Sequence, residues 1–162
     1  MQAVSYIRGS DIYEVKPITD ISCVDQDMAS VSDVIQDTDP DYYKANMIDS
    51  VAQGLAYDIW KNSERVGFVY NKIENDQYYG CSIKIWDPIG MIIGLKQMFD
   101  ICDKHKISYA PHESNLKDFI SMAAGTSIRL WHTTDTSTVF MLRDEIYPRG
   151  KRIMEYLGVT NG

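Results

Sequence analysis

The sequence predicts an α/β fold, with a mixed sheet that joins an antiparallel meander to one parallel pair of strands and carries about four helices. Three observations lead there. Two helical stripes precede three β-rich runs joined by short polar turns. Asp87-Pro88 then opens a long amphipathic stretch. The short apolar run Ile107 to Ala110 follows that stretch directly, and a strand entered from such a helix usually lies parallel to the strand before it, by a right-handed crossover.

The elements follow in order. Ile12 to Ile18 alternates and reads as the first strand, closed by Pro17 and Thr19-Asp20. From Asp20 to Asp37, Ile21, Val24, Met28, Val31 and Val34-Ile35 recur at three- and four-residue steps, which is a helical stripe with acids opposite. Thr38-Asp39-Pro40-Asp41 breaks it, and Pro40 suits the first position of a second helix through Tyr43, Met47 and Val51, ending near Gly54. Leu55 to Trp60, Arg65 to Ile73 and Gln77 to Trp86 read as three antiparallel strands, with turns at Lys61 to Glu64 and Glu74 to Asp76.

Asp87 is a natural N-cap and Pro88 a natural first helical residue, so a helix should run to about His105 on the buried face of Ile92, Leu95, Met98, Phe99 and Cys102. Ile107 to Ala110 is a strand stopped by Pro111. Glu113-Ser114-Asn115 caps a helix to Ala124 with Gly125 as its stop. Ser127 to Trp131 and Thr138 to Leu142 pair as a hairpin, and Gly150 to Leu157 suits a last short helix. The 162 residues read as a single domain, with a core over about 10–143 and a charged tail over 144–162.

Composition narrows the function. No apolar run approaches the ~18 residues of a membrane span. Met1 to Arg8 lacks the basic start, apolar stretch and cleavage site of a signal peptide. Cys23, Cys81 and Cys102 are widely spaced, with no Cys-x-x-Cys, so no metal site is expected, and they fit a reducing cytosol or an intracellularly assembled particle. Residues 1–60 carry eleven acidic and three basic side chains, a net −8, while the remainder is near neutral. Direct nucleic-acid binding needs clustered Lys and Arg and is not expected. The acid-rich third suits a basic protein partner instead, with Asp33, Asp37 and Asp41 as candidate contacts. The plainer reading is a solvated surface.

The order strand, two helices, three antiparallel strands, helix, strand, helix, hairpin resembles the GNAT-type N-acyltransferase superfamily over about residues 10–143. The late segment carries the best local match: Ile107 to Ala110, the Asn115 to Gly125 helix, and the hairpin ending Val139-Phe140-Met141-Leu142-Arg143. The degenerate character is similar to that of the small internal virion proteins of short-tailed bacteriophages.

The resemblance implies a GNAT-like fold and, in active members, acetyl-CoA as cofactor. Gly90, Ile92 and Asn115 would be the residues nearest it. The family's loop runs Arg or Gln, then Gly three residues on, then Gly or Ala two beyond. Laid on Asp87 to Ile92, only Gly90 fits. Asp87 replaces the cation, and a carboxylate ~4 Å from a phosphate costs on the order of 1–4 kcal/mol. Asp87→Arg with Ile92→Gly should therefore restore binding. The family's acidic Tyr would fall at Ser121 or Met122, neither of which delivers a proton well. Glu74 and Glu113 are the carboxylates that a base role would use, with Asp76 nearby, while His105, His112 and His132 sit far apart in sequence.

The expectation is a GNAT-like protein without catalysis or cofactor, in a structural or interaction role among protein partners such as virion components. An acetyl-CoA-dependent N-acetyltransferase and an acidic decoy for a nucleic-acid-processing host protein are the alternatives.

Overall fold

The computed structural model describes residues 2–32, 39–105, 108–109, 112–113, 129–132, 138–140 and 160–161. Alternating apolar residues build a sheet whose two faces are both covered. Strands β1 (Val4–Arg8), β2 (Asp11–Pro17), β3 (Tyr57–Lys61), β4 (Glu64–Glu74) and β5 (Gln77–Ile85) form a continuous antiparallel meander. A one-turn 3-10 segment, Ile21–Cys23, leads into α1 (Val24–Ser30), and α2 (Pro40–Ala52) follows. Helix α3 (Pro88–His105) connects β5 to β6 (Ser108–Tyr109).

Strand β6 pairs with β5 in parallel, Gln77 with Ser108 and Tyr78 with Tyr109. The described pairing lies at the start of β5, and β7 (His112–Glu113) pairs with β9 (Thr138–Phe140) instead. Pro111, which has no N–H to give a ladder, stands in sequence between β6 and β7. Strand β9 also pairs antiparallel with β8 (Arg129–His132).

Two elements were not anticipated. Strand β1 precedes the expected first strand, and β10 (Thr160–Asn161) pairs with it through Tyr6–Asn161 and Ile7–Thr160. Both lie outside 10–143. The sequence signal for β1 was present: Val4 to Arg8 before Gly9-Ser10, with Gly9 at φ +59 in the tight turn. The first helix is shorter than its stripe, since α1 ends at Ser30. The stripe's second half, residues 33–38, lies outside the described residues, as do the expected helices at 115–124 and 150–157.

Two clusters fill the interior. On one face α3 covers Tyr6, Tyr13, Val15, Tyr57, Ile59, Val69 and Tyr78 through Ile93, Met98 and Ile101. On the other, α1 and α2 cover Ile18, Ala56, Phe68 and Tyr70 through Val24, Val31 and Met47. The β3–β4 and β4–β5 turns are two-residue hairpins with positive φ at each position, Asn62-Ser63 and Asn75-Asp76, which is the twist-matched geometry for short hairpins. A bulge at Cys81 interrupts the ladder, since Asn71 pairs with Gly80 and Tyr70 with Ser82.

Candidate functional site

The start of α3 is built as the sequence suggests. Asp87 is the cap: its carboxylate accepts the Gly90 N–H at 2.8 Å, and its carbonyl accepts the Met91 N–H at 2.9 Å. Two further groups reach the same carboxylate from distant strands. The Tyr13 hydroxyl donates to it at 3.0 Å, and Lys61 Nζ lies 3.4 Å away. Burial pushes the Asp87 carboxyl up, but the Gly90 N–H, the Tyr13 hydroxyl and Lys61 together hold its pKa below the ordinary value. Burial, then the Asp87 bond, raises Tyr13, while the Asp87 charge raises Lys61. Asp87 therefore stays ionised and the other two stay protonated. The helix start, which can hold an anion, already holds one of its own.

Packing explains Gly94, while Gly90 has room for a Cβ at ordinary contact distance. A Cβ at Gly94 would stand 2.6 Å from Ile85 Cδ1 and 3.0 Å from Ile59 Cδ1. One at Gly90 would touch Ile59, Ile85 and Asp87, each at 3.4 Å. The Tyr57 hydroxyl, buried beneath the helix, donates to the Gly94 carbonyl at 2.9 Å. Gly94 lets α3 lie close on the sheet, and Ile92 packs against the core below it. The paired substitution Asp87→Arg with Ile92→Gly is thus a poor test of ligand binding. It would remove the cap, set a cation beside Lys61 and open a gap in the packing.

Of the remaining sequence candidates, Glu74 does not join this place. Glu74 is exposed at the end of β4 and pairs with Lys72 at 3.1 Å, a solvated role. Glu113 lies in β7. Ser121 and Asn115 lie outside the described residues. Among the described residues no cluster of His, Cys, Asp and Glu could hold a metal ion, and no helix is long and apolar enough to cross a membrane. The Cys81 thiol is pushed up to about 12 by burial, which leaves it unreactive.

Of the partner candidates, Asp41 is exposed in the first turn of α2, and Asp33 and Asp37 lie outside the described residues. Much of the acid-rich third is spent internally. Asp20 and Asp39 cap helices. Asp25 pairs with Lys44 at 2.8 Å. Asp11 accepts from Asn62 at 2.9 Å. Asp27, 2% exposed, is held by both terminal nitrogens of Arg65 at 2.6 and 2.8 Å and by the Tyr70 hydroxyl at 2.6 Å.

What sequence reading missed is a cavity of about 650 Å³ beside the α3 start, where Arg8, Ser10, Tyr13 and Lys61 meet Asp87 and Pro88. Tyr13 and Lys61 lie 74 and 26 residues from Asp87, and no local pattern announces such contacts.

No family model matches the chain, and no curated protein matches it. Solved structures do. The PaiA N-acetyltransferase from Thermoplasma acidophilum, in complex with coenzyme A, aligns at TM-score 0.51 and 12% identity, over 78% of this chain and 96% of that one. RimL, a ribosomal L7/L12 alpha-N-protein acetyltransferase, aligns at TM-score 0.53 and 16% identity, over 86% and 93%. The chain has a GNAT-like α/β fold.

Proposed function

We propose that this chain uses the GNAT-like fold without acyl transfer and serves as an interaction component of a protein assembly, such as a phage virion. One observation carries the loss of catalysis. The carboxylate of Asp87 occupies the α3 start, takes the Gly90 N–H, and is ionised there by Tyr13 and Lys61. A pyrophosphate would have to displace a bonded carboxylate or sit against it. The virion setting rests on the sequence resemblance alone.

Calorimetric titration with acetyl-CoA tests the reading. The expected outcome is no binding tighter than about 1 mM, near −4 kcal/mol. Asp87→Ser keeps a capping oxygen and removes the charge, and it should strengthen any residual binding without unfolding the helix start. Micromolar affinity in the wild type would overturn the reading.

An acetyl-CoA-dependent N-acetyltransferase with a variant phosphate loop is the second reading. It is supported by the fold likeness to the PaiA and RimL N-acetyltransferases. Turnover of acetyl-CoA with a peptide amine would establish it. The acidic decoy has less support, because most of the described acids in the N-terminal third already have partners.

A further inference from the structure

Exposed apolar side chains and unmatched acids fall on one side of the sheet. Tyr6, Tyr13 and Ile59 pack under α3, so their strand neighbours Ile7, Ile12 and Trp60 point to the side of α1 and α2. On that side α1 and α2 cover Phe68 and Tyr70 of β4. Ile7 and Ile12, which stand opposite each other in β1 and β2, stay 40% and 51% exposed. Trp60, diagonal to Ile12 and partly exposed beneath Lys16, extends this strip. Ile21, at the lead-in to α1, and Tyr42, in the first turn of α2, are exposed as well. The acids of the same side are in surplus. Asp20, Asp39, Asp41 and Asp49 are exposed on the lead-in to α1 and on α2, and none has a Lys or Arg within ion-pair distance among the described residues. Arg65 alone serves both Asp27 and Asp58. Across the sheet, on the α3 side, Asp11 and Asp87 face Arg8 and Lys61, and Asp100 faces Lys96, so those charges balance.

We infer that the bare strip of β1 and β2 beside α1 docks a basic, amphipathic segment of a protein partner. The segment's apolar side chains cover Ile7, Ile12 and the edge of Trp60, an adjacent set rather than single scattered contacts. Its cations are drawn by the surplus carboxylates of the same side, which orient the approach more than they hold the complex. A second copy of this chain suits the strip less, because it brings the same acid surplus against itself, and an anionic surface is repelled for the same reason. The charge asymmetry of the sequence thus becomes a difference between two faces of the sheet, with the apolar anchor on the acidic one. This docking surface presupposes the interaction role proposed above, and it shares no residue with the start of α3.

Titration of the labelled full chain, followed by amide chemical shifts, tests it with synthetic peptides of one length. The first is built of Leu and Lys in the order of an amphipathic helix, the second has the same composition scrambled, and the third replaces every Lys by Glu. The Leu/Lys helix is expected to give saturable shifts at Ile7, Ile12 and Trp60, with the scrambled and Leu/Glu peptides each several-fold weaker. Ile7→Ser with Ile12→Ser removes apolar surface from exposed positions and should weaken the Leu/Lys helix about tenfold. Trp86→Ser, at an exposed residue outside the strip, should leave that affinity unchanged. Amides of α3 report in the same spectra that each variant is folded. Shifts confined to other residues, or affinity unchanged by the paired Ser substitution, would overturn this surface and leave the interaction role standing. Equal binding of the Leu/Glu peptide, or no saturable shift with any peptide, would overturn it as well. So would self-association of the protein alone that the paired Ser substitution abolishes, since a second copy would then cover the strip. Micromolar acetyl-CoA affinity, measured separately, is the result that removes the interaction role itself.

Discussion

Asp27 ties helix α1 to strand β4 through a forked contact with Arg65, and Arg65 continues to Asp58 through its Nε at 2.8 Å. Asp27→Asn would leave Arg65 facing one carboxylate and weaken the Tyr70 bond as well. Breaking a buried pair from one side costs about 3–5 kcal/mol, so the variant's urea midpoint should fall steeply with little change in slope. Asp58 has the opposite sign. Burial pushes its carboxyl up, and Arg65 offsets only part of that. A carboxyl raised on folding adds stability below its unfolded pKa and loses it as pH rises through its folded pKa. Ionisation of Asp58 therefore costs some stability, and its contribution falls as pH rises. The stability of the wild type relative to Asp58→Asn should rise between pH ~7 and ~4, measured by urea unfolding at each pH. A relative loss in mild acid would make Asp58 an ordinary stabilising ion partner instead. Neither role was visible in the sequence, where Asp27 and Asp58 were two acids among eleven.

At the scale of elements, the close seating of β5 and α3 explains two glycines differently. Gly67 in β4 stands opposite Ile85, and a Cβ there would meet the Ile85 Cα at 2.8 Å and its side-chain root at 2.7 and 2.9 Å. Backbone cannot yield as a rotamer can, so Gly67→Ala should cost about 1–3 kcal/mol by overpacking. At Gly94 the nearest obstructions are the ends of the Ile85 and Ile59 side chains. Alanine there also gains up to about 1 kcal/mol of helix propensity. Gly94→Ala should thus be milder than Gly67→Ala in thermal unfolding, and the reverse order would contradict this packing. The same contrast shows what a sequence makes legible. The hairpins, the Asp-Pro helix start and the crossover are local signals, and the described elements appear where those signals lie. The two-residue β10 is too short to carry a periodicity, and it is placed by pairing with β1 at the other end of the chain. The seating of α3 at Gly94 had no local signal, because it depends on where Ile59 and Ile85 lie.

At the scale of the whole molecule, charge is the feature that a partner would sense first. Residues 1–60 hold a net −8 while the rest of the chain is close to neutral. Internal pairing blunts this at short range, since Asp27 and Asp58 face Arg65 and Asp25 faces Lys44. The surplus left after this pairing is what a partner senses at longer range. Asp41, exposed and without a side-chain partner among the described residues, belongs to that field together with Asp33 and Asp37 in sequence. If the chain is an assembly component, the triple substitution to Lys at these positions reverses six charge units while touching no buried contact at Asp41. The far-ultraviolet spectrum and urea midpoint should stay close to wild type. Recovery of the partner from an extract of the source should fall, and the wild type should itself lose recovery when salt rises from ~0.05 to ~0.3 M, because the Debye length shrinks through the range of surface separations. The triple variant should be much less sensitive to the same salt change. Equal recovery in all four conditions would assign these acids to solubility alone and move the search for the partner surface to the neutral remainder of the fold.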